Sequence, residues 1–312
     1  MIIKAGQNSK LQLKIENLKK QKNAVILVHN YQIPEVQDIG DYMGDSLGLS
    51  IEAAKTQADV IVFCGVHFMA ETASILSPQK TVLMPDALAG CPMADMIDVP
   101  KLRSLKDQHP DAKVVCYVNS SAEVKAESDI CCTSANAVKI VASLREAKKI
   151  IFVPDKYLGM YAQSKLPEKE FIFANGYCPT HARILPEHIK RAREAHPDAV
   201  VWVHPECRPE TISAADEALS TGGMSGMAKK IKAKEILIGT EVGMIYRLQK
   251  DNPDKKFYPV LEQAVCPDMK KITLEKIFWS LEEMQTAVKV PQEIADKARS
   301  AIERMVAIGR ED

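Results

Sequence analysis

Apolar runs of four or five residues recur along the chain, each closed by polar residues and parted from the next by helix-spaced segments. Ala24-Val25-Ile26-Leu27-Val28, Val114-Val115-Cys116-Tyr117-Val118 and Val200-Val201-Trp202-Val203 are continuous rather than alternating, the pattern of strands buried on both faces. A second run follows each at 60–64, 150–153 and 236–238, and a shorter third at 81–84, 171–173 and 257–260. Segments 47–57, 135–148 and 224–233 have helical spacing, and a further helix opening at Pro186 leads into the last set, where proline suits the first turn. Strands alternating with helices predict an α/β fold of parallel sheets covered on both faces.

The pattern keeps a fixed step. Cys91 to Cys178 is 87 residues and Cys178 to Cys266 is 88. His109-Pro110-Asp111-Ala112 returns 87 residues later as His196-Pro197-Asp198-Ala199. The groups closing the first runs, His29-Asn30-Tyr31, Tyr117-Val118-Asn119 and His204-Pro205-Glu206, are 88 and 87 apart, as are Ser46, Ser134 and Thr221. Landmarks that stay in register through three copies mark a triplication. The reading is three homologous αβα units, residues 1–92, 93–180 and 181–268, with parallel sheets about a pseudo-threefold axis and the site at its centre. Residues 269–312 form a C-terminal helical tail packing back on the assembly, and 273–284 reads as a fourth lead-in helix.

Length alone, 312 residues, suggests two domains of ordinary size; the repeat replaces them with three smaller ones. Lys plus Arg balance Asp plus Glu at 41 each, so no basic footprint directs the chain to nucleic acid or an acidic membrane. The segment 1–20 is amphipathic and lysine-rich without an apolar signal core, and the apolar runs are far too short to span a bilayer. Cytoplasm is the expectation. There, eight cysteines are thiols rather than disulfides, and none forms a CxxC pair. Cys64, Cys116, Cys131 and Cys132 lie in apolar runs and read as small buried hydrophobes. Cys207 has no assigned role. Cys91, Cys178 and Cys266 differ, each being followed by proline.

Ligands collect at the carboxyl ends of parallel strands, which places the three Cys-Pro loops around one point. One Cys-Pro marks a turn; three in register argue for a shared metal. Zinc with three cysteines recruits a fourth protein ligand when structural. A [4Fe-4S] cluster on three thiolates keeps one iron open for substrate as a Lewis acid. Ser46, Ser134 and Thr221 fall at expected N-cap positions, and helix N-termini aimed at one centre attract anions. Gly222-Gly223 lets backbone approach a ligand. A small dicarboxylate or phosphate ester fits this description; no GxGxxG or P-loop supports a nucleotide. His29, Tyr31, Tyr117, Asn119, His204 and Glu206 form the acid–base and orienting set, with His204 and Glu206 the expected proton-transfer pair and Tyr31 a candidate acid. His67 and Glu71 have no counterparts in the other copies and read as structural.

Taken together, His29-Asn30-Tyr31-Gln32, Gly44-Asp45-Ser46, Gly65-Val66-His67-Phe68-Met69-Ala70-Glu71, Thr133-Ser134-Ala135-Asn136-Ala137, Ser220-Thr221-Gly222-Gly223-Met224, Thr240-Glu241-Val242-Gly243-Met244 and Cys266-Pro267-Asp268-Met269-Lys270 resemble the quinolinate synthase family. The resemblance runs over essentially the whole chain. It implies condensation of iminosuccinate (iminoaspartate) with dihydroxyacetone phosphate to quinolinate, phosphate and water in the de novo route to NAD. It also implies one [4Fe-4S] cluster per chain on Cys91, Cys178 and Cys266. Substrate contacts carry over to His29, Ser46, Tyr117, Val118, Asn119, Ser134, His204, Pro205, Glu206 and Thr221, and catalytic roles to Tyr31 and Glu206. A transient encounter with the L-aspartate oxidase supplying the imine is compatible with it. Three distant cysteines also admit a diphthamide-synthesis-type enzyme binding S-adenosylmethionine at the open iron, and a non-catalytic iron–sulfur or zinc sensor.

Overall fold

The computed structural model describes residues 2–310, with side chains from Ser9 onward. Of the lead-in segment expected at 1–20, Met1 lies outside the described residues; the rest is helix α1, Ile2–Gln21. Its packed stripe is short: Ile15 is fully buried, with Leu11 and Leu18 against the same core.

Three sheets follow, built alike. The first comprises β1 Ala24–His29, helix α2 Pro34–Gln37, β2 Tyr42–Gly44, α3 Ser46–Lys55, β3 Val60–Cys64, α4 His67–Leu76 and β4 Thr81–Leu83. After lead-in helix α5, Val99–Gln108, come β5 Lys113–Tyr117, α6 Ala122–Ala126, β6 Ile130–Cys132, α7 Ala137–Ser143, β7 Lys149–Val153, α8 Lys156–Lys165 and β8 Glu170–Phe173. After α9, Pro186–Ala195, come β9 Val200–Val203, α10 Pro209–Ala214, β10 Glu217–Ala218, α11 Thr221–Lys230, β11 Glu235–Gly239, α12 Gly243–Asp251 and β12 Lys256–Pro259. Each sheet is parallel and four-stranded, ordered second–first–third–fourth: β2-β1-β3-β4, β6-β5-β7-β8 and β10-β9-β11-β12.

The expected strands are present, with two differences. What reads in sequence as a short connection contains a short helix and an edge strand in every unit, so each sheet has four strands rather than three. The helix expected over 135–148 stops at Ser143; Leu144 and Ala147 turn their carbonyls to the Lys169 ammonium instead.

Alternating strand residues serve two cores. Leu27, Val115 and Trp202 point into one large cluster shared by the units, whereas Ile26 and Val28, or Val201 and Val203, face outward to smaller ones. Period-two alternation explains why these strands are apolar throughout. Cys64, Cys116, Cys131, Cys132 and Cys207 are fully buried free thiols within these cores, as small hydrophobes.

The connection between units is itself a repeat. Single-turn helices Ala94–Met96, His181–Arg183 and Met269–Lys271 each begin three residues after a cysteine. Each cysteine also stands seven residues before the next helix's N-cap: Asp98, Leu185, Thr273. The third copy opens α13, Leu274–Glu283, which packs on β3 of the first unit as α9 packs on β11 of the third. The lead-in helix of a fourth unit is thus used by the first, and α1 lies against it. A last helix, α14 Gln292–Ile308, returns over α4, α6 and β6. Among the described residues no helix is long and apolar enough to cross a membrane.

Candidate active site

The carboxyl ends of strands from all three sheets surround a cavity with about 680 Å³ of empty space that runs out to solvent. Its wall includes Cys91, Cys178 and Cys266; His29, Tyr31, Ser46, Tyr117, Asn119, Ser134, His204, Glu206 and Thr221 line it too. Val118 and Pro205 do not contribute side chains to the wall; Val118 is buried and its N–H donates to Cys132 O. His67 and Glu71 lie outside the cavity, Glu71 accepting the Ala122 N–H from the second unit.

The three cysteines are placed alike. Each precedes a single-turn helix whose N–H groups point back at the sulfur: Met93 and Ala94 at Cys91, His181 at Cys178, Asp268 and Met269 at Cys266. Those donors favour thiolate, but burial opposes it, and Cys91 stands at about 12. Cys178 and Cys266 are raised as well, first by burial. Half-buried thiols that carry built-in N–H donors, yet are pushed toward the neutral form, fit a metal group whose positive charge would reverse the balance. The ligating atoms of Cys178, His181 and Glu206 lie within 4.8 Å of one another.

His29 and His204 hold equivalent places in units one and three. Each ring Nδ1 accepts the N–H of the residue two ahead, Tyr31 at 3.2 Å and Glu206 at 3.3 Å. Burial lowers His29 to about 4 and His204 to about 3, so both rings are neutral at pH 7. A neutral ring accepting at Nδ1 carries its proton on Nε2. His204 Nε2 therefore donates to Ser134 Oγ, 3.1 Å away.

Glu206 leans away from the partner expected for it. Its Oε2 is 2.6 Å from His181 Nδ1 but 3.9 Å from His204 Nδ1, because His204 Nδ1 is occupied by the Glu206 N–H itself. Tyr117 donates its phenol proton to the other oxygen. Burial alone would raise the carboxyl; His181 and His204, with the bonds from His181 and Tyr117, hold it below the usual carboxylate range. Thr240 Oγ1 sits 2.7 Å from His181 Nε2 and 2.6 Å from Tyr31 Oη. A buried chain therefore runs Tyr31–Thr240–His181–Glu206–Tyr117. Burial and the Glu206 charge raise both tyrosines well above the ordinary phenol range, so each is a protonated donor.

His181 is the central residue that sequence reasoning missed. Its position three after a cysteine is alanine in unit one and methionine in unit three, so the register that exposes shared positions passes over it. The Cys178-Pro179-Thr180-His181 spacing was the available signal.

None of the three expected helix caps is the cap itself, and two of them stand one residue past it. Asp45 caps α3 through the Gly48 N–H and Ser220 caps α11 through the Gly223 N–H, while α7 starts at Ala137, beyond Ser134. The N2–N3 donors are thereby satisfied one position earlier, and the next hydroxyl faces the cavity. Thr221 Oγ1 accepts from Asn30 Nδ2 at 2.9 Å, tying unit three to unit one. Asn119 Oδ1 is buried without a hydrogen-bond partner, an acceptor aimed at whatever fills the cavity.

A family model described as Quinolinate synthetase A protein matches residues 13–307. Curated relatives named quinolinate synthase include that of Dehalococcoides mccartyi (strain CBDB1), 59% identical over 95% of this chain and 97% of its own. That of Thermodesulfovibrio yellowstonii is 56% identical over 93% and 96%, and that of Methanosarcina barkeri 55% over 97% and 99%. With likeness this high across nearly the full length of both partners, the chain belongs to the quinolinate synthase family of enzymes.

Proposed function

We propose that the chain condenses iminosuccinate with dihydroxyacetone phosphate, forming quinolinate, phosphate and water, in the cytoplasm, within three units bounded at residues 92, 180 and 268. The observation that carries this reading is the convergence of Cys91, Cys178 and Cys266 on the cavity that also holds the tyrosine–histidine–glutamate chain. Those three thiols would hold a [4Fe-4S] cluster, whose open iron supplies Lewis acidity toward the substrate.

The chain's own residues supply binding and proton handling. Ser46 and Thr221, in the first turns of α3 and α11, receive anionic groups, with Ser134, His29 and His204 as hydrogen-bonding neighbours. Contacts assigned to Val118 and Pro205 fall to backbone atoms. Asn119 Oδ1 accepts from an N–H or O–H of the substrate, the pairing it lacks. Glu206, ionised between His181 and Tyr117, takes up protons released during condensation. Tyr31 and Tyr117, kept protonated by burial, donate to departing oxygen.

The test is an anaerobic assay for quinolinate from oxaloacetate, ammonia and dihydroxyacetone phosphate, using protein reconstituted with iron and sulfide. Quinolinate formation is expected. Its absence, with a spectral response to S-adenosylmethionine instead, overturns the reading.

A further inference from the structure

The chain's last described residue, Arg310, lies outside the cavity lining but reaches one of the lining residues, Asp45. Gly309, at φ +69°, turns the backbone out of α14 in the left-handed region that favours glycine. The turn is fastened to unit two: Asn136 Nδ2 donates to Gly309 O at 3.1 Å, and Lys139 Nζ to Ile308 O at 2.8 Å and Arg310 O at 3.0 Å. From there Arg310 crosses to unit one and grips Asp45 with both arms of its fork, Nη1 to Oδ2 at 2.7 Å and Nη2 to Oδ1 at 2.6 Å. The same guanidinium rests on unit three. A β-carbon on Gly222 would stand 2.0 Å from Nη1, so glycine in the first turn of α11 is what admits it. Arg310 thus joins all three units, its backbone held by unit two and its side chain set against units one and three, beside two residues that line the cavity, Asp45 and Thr221.

Charge makes this position matter. Among the described residues no lysine or arginine lines the cavity, whereas Asp45, Glu206 and Glu241 do. A polyanionic substrate entering such a site needs a cation, and Arg310 is placed between the N-termini of α3 and α11, which already favour negative charge.

We propose that Arg310 is a substrate-binding residue that closes over an oxyanion, phosphate or carboxylate, at the mouth of the cavity, with Asp45 anchoring its fork. This rests on the reading of the site as one for anionic substrates.

Arg310→Gln, Arg310→Lys and a chain ending at Gly309 test it in the iron-loaded enzyme. Loss of a charge-assisted contact raises KM by roughly ten- to a hundredfold, with kcat within about threefold of wild type and lysine restoring part of the loss. Calorimetric titration with inorganic phosphate and, separately, with succinate shows which oxyanion depends on Arg310. Unchanged KM and unchanged affinity for both anions overturn the proposal. Loss of bound iron, or of thermal stability, in Arg310→Gln at unchanged KM also overturns it, leaving Arg310 a structural clasp. If wild type makes no quinolinate while phosphate or succinate binding still depends on Arg310, the functional reading fails and this one stands.

Discussion

Thr240→Val tests whether the buried chain acts as one device. The substitution keeps the shape at a fully enclosed position, since Thr240 is 1% exposed, and removes one hydroxyl. That hydroxyl lies 2.6 Å from Tyr31 Oη and 2.7 Å from His181 Nε2, both on buried side chains. Leaving a buried polar atom unpaired costs about 1–3 kcal/mol. Tyr31 Oη keeps a long contact of 3.4 Å to His181 Nε2, which places its loss at the low end. The sum is about 2–4 kcal/mol. Unfolding entropy of about 2.1 cal/mol/K per residue gives about 0.65 kcal/mol/K for the chain, so Tm falls by about 5 °C. His181 loses the short contact at Nε2, while Nδ1 keeps Glu206 at 2.6 Å and Cys178 Sγ at 3.1 Å, and kcat should fall by roughly ten- to a hundredfold, the range of a mispositioned acid–base group. Thermal unfolding followed by circular dichroism, with steady-state quinolinate production, reads both effects. Thr240→Ser keeps the hydroxyl and should recover most of the activity. A Thr240→Val enzyme with wild-type Tm and kcat would refute the coupling.

Cys91→Ser, Cys178→Ser and Cys266→Ser should each lose iron and activity, while Cys64→Ala and Cys132→Ala keep their iron; metal analysis showing the reverse would dismiss the ligand assignment. Histidines held neutral by burial make the fold sensitive to acid. His29 is at about 4 when folded against 6.5 when exposed, so its contribution is complete above pH 6.5 and drains away as pH falls toward 4, about 3 kcal/mol in all. Denaturant titrations at about pH 7.5 and about pH 4.5 should show a loss that shrinks in His29→Gln, and an equal loss in both proteins would contradict it. Gly222→Ala should mimic Arg310→Gln in KM. Its new methyl displaces the guanidinium, while the helix gains about 0.5–1 kcal/mol from the loss of glycine, so Tm should hold.

Much of this architecture was legible because the chain repeats. The step of 87 or 88 residues places the strands, the cysteine loops and the polar strand ends without reference to coordinates. The edge strands β2, β6 and β10 escaped, being two or three residues long and too short to show a period. Ser46 and Thr221 were expected as caps because a hydroxyl before a helical run is the usual sign. Asp45 and Ser220 carry the same sign one residue earlier, and only geometry decides between neighbours. His181 and Arg310 were hidden for another reason. Comparison between copies finds what units share, and these two residues act where the units differ. Arg310 reaches its place through a turn at Gly309 and lies 265 residues from Asp45 in sequence.

The docking of α13 on the first sheet has a consequence for how the enzyme is made. Synthesis proceeds from the N-terminus, and early segments fold as they appear. The first sheet is the earliest to be translated, yet the side chains that complete the cover of its outer face, Leu274, Ile277 and Leu281, come near the end. The oldest part of the nascent chain therefore waits, with Ile26, Val28 and Val62 covered on that side only by α1 and α2, for nearly the youngest. Cys266 is translated just ahead of α13, so the last thiol and the helix that seals the first unit arrive together. On the proposed ligand set, loading of the cluster would belong to the finished polypeptide, and ribosome-bound fragments that stop short of residue 266 should emerge as clients for chaperones rather than as acceptors of iron.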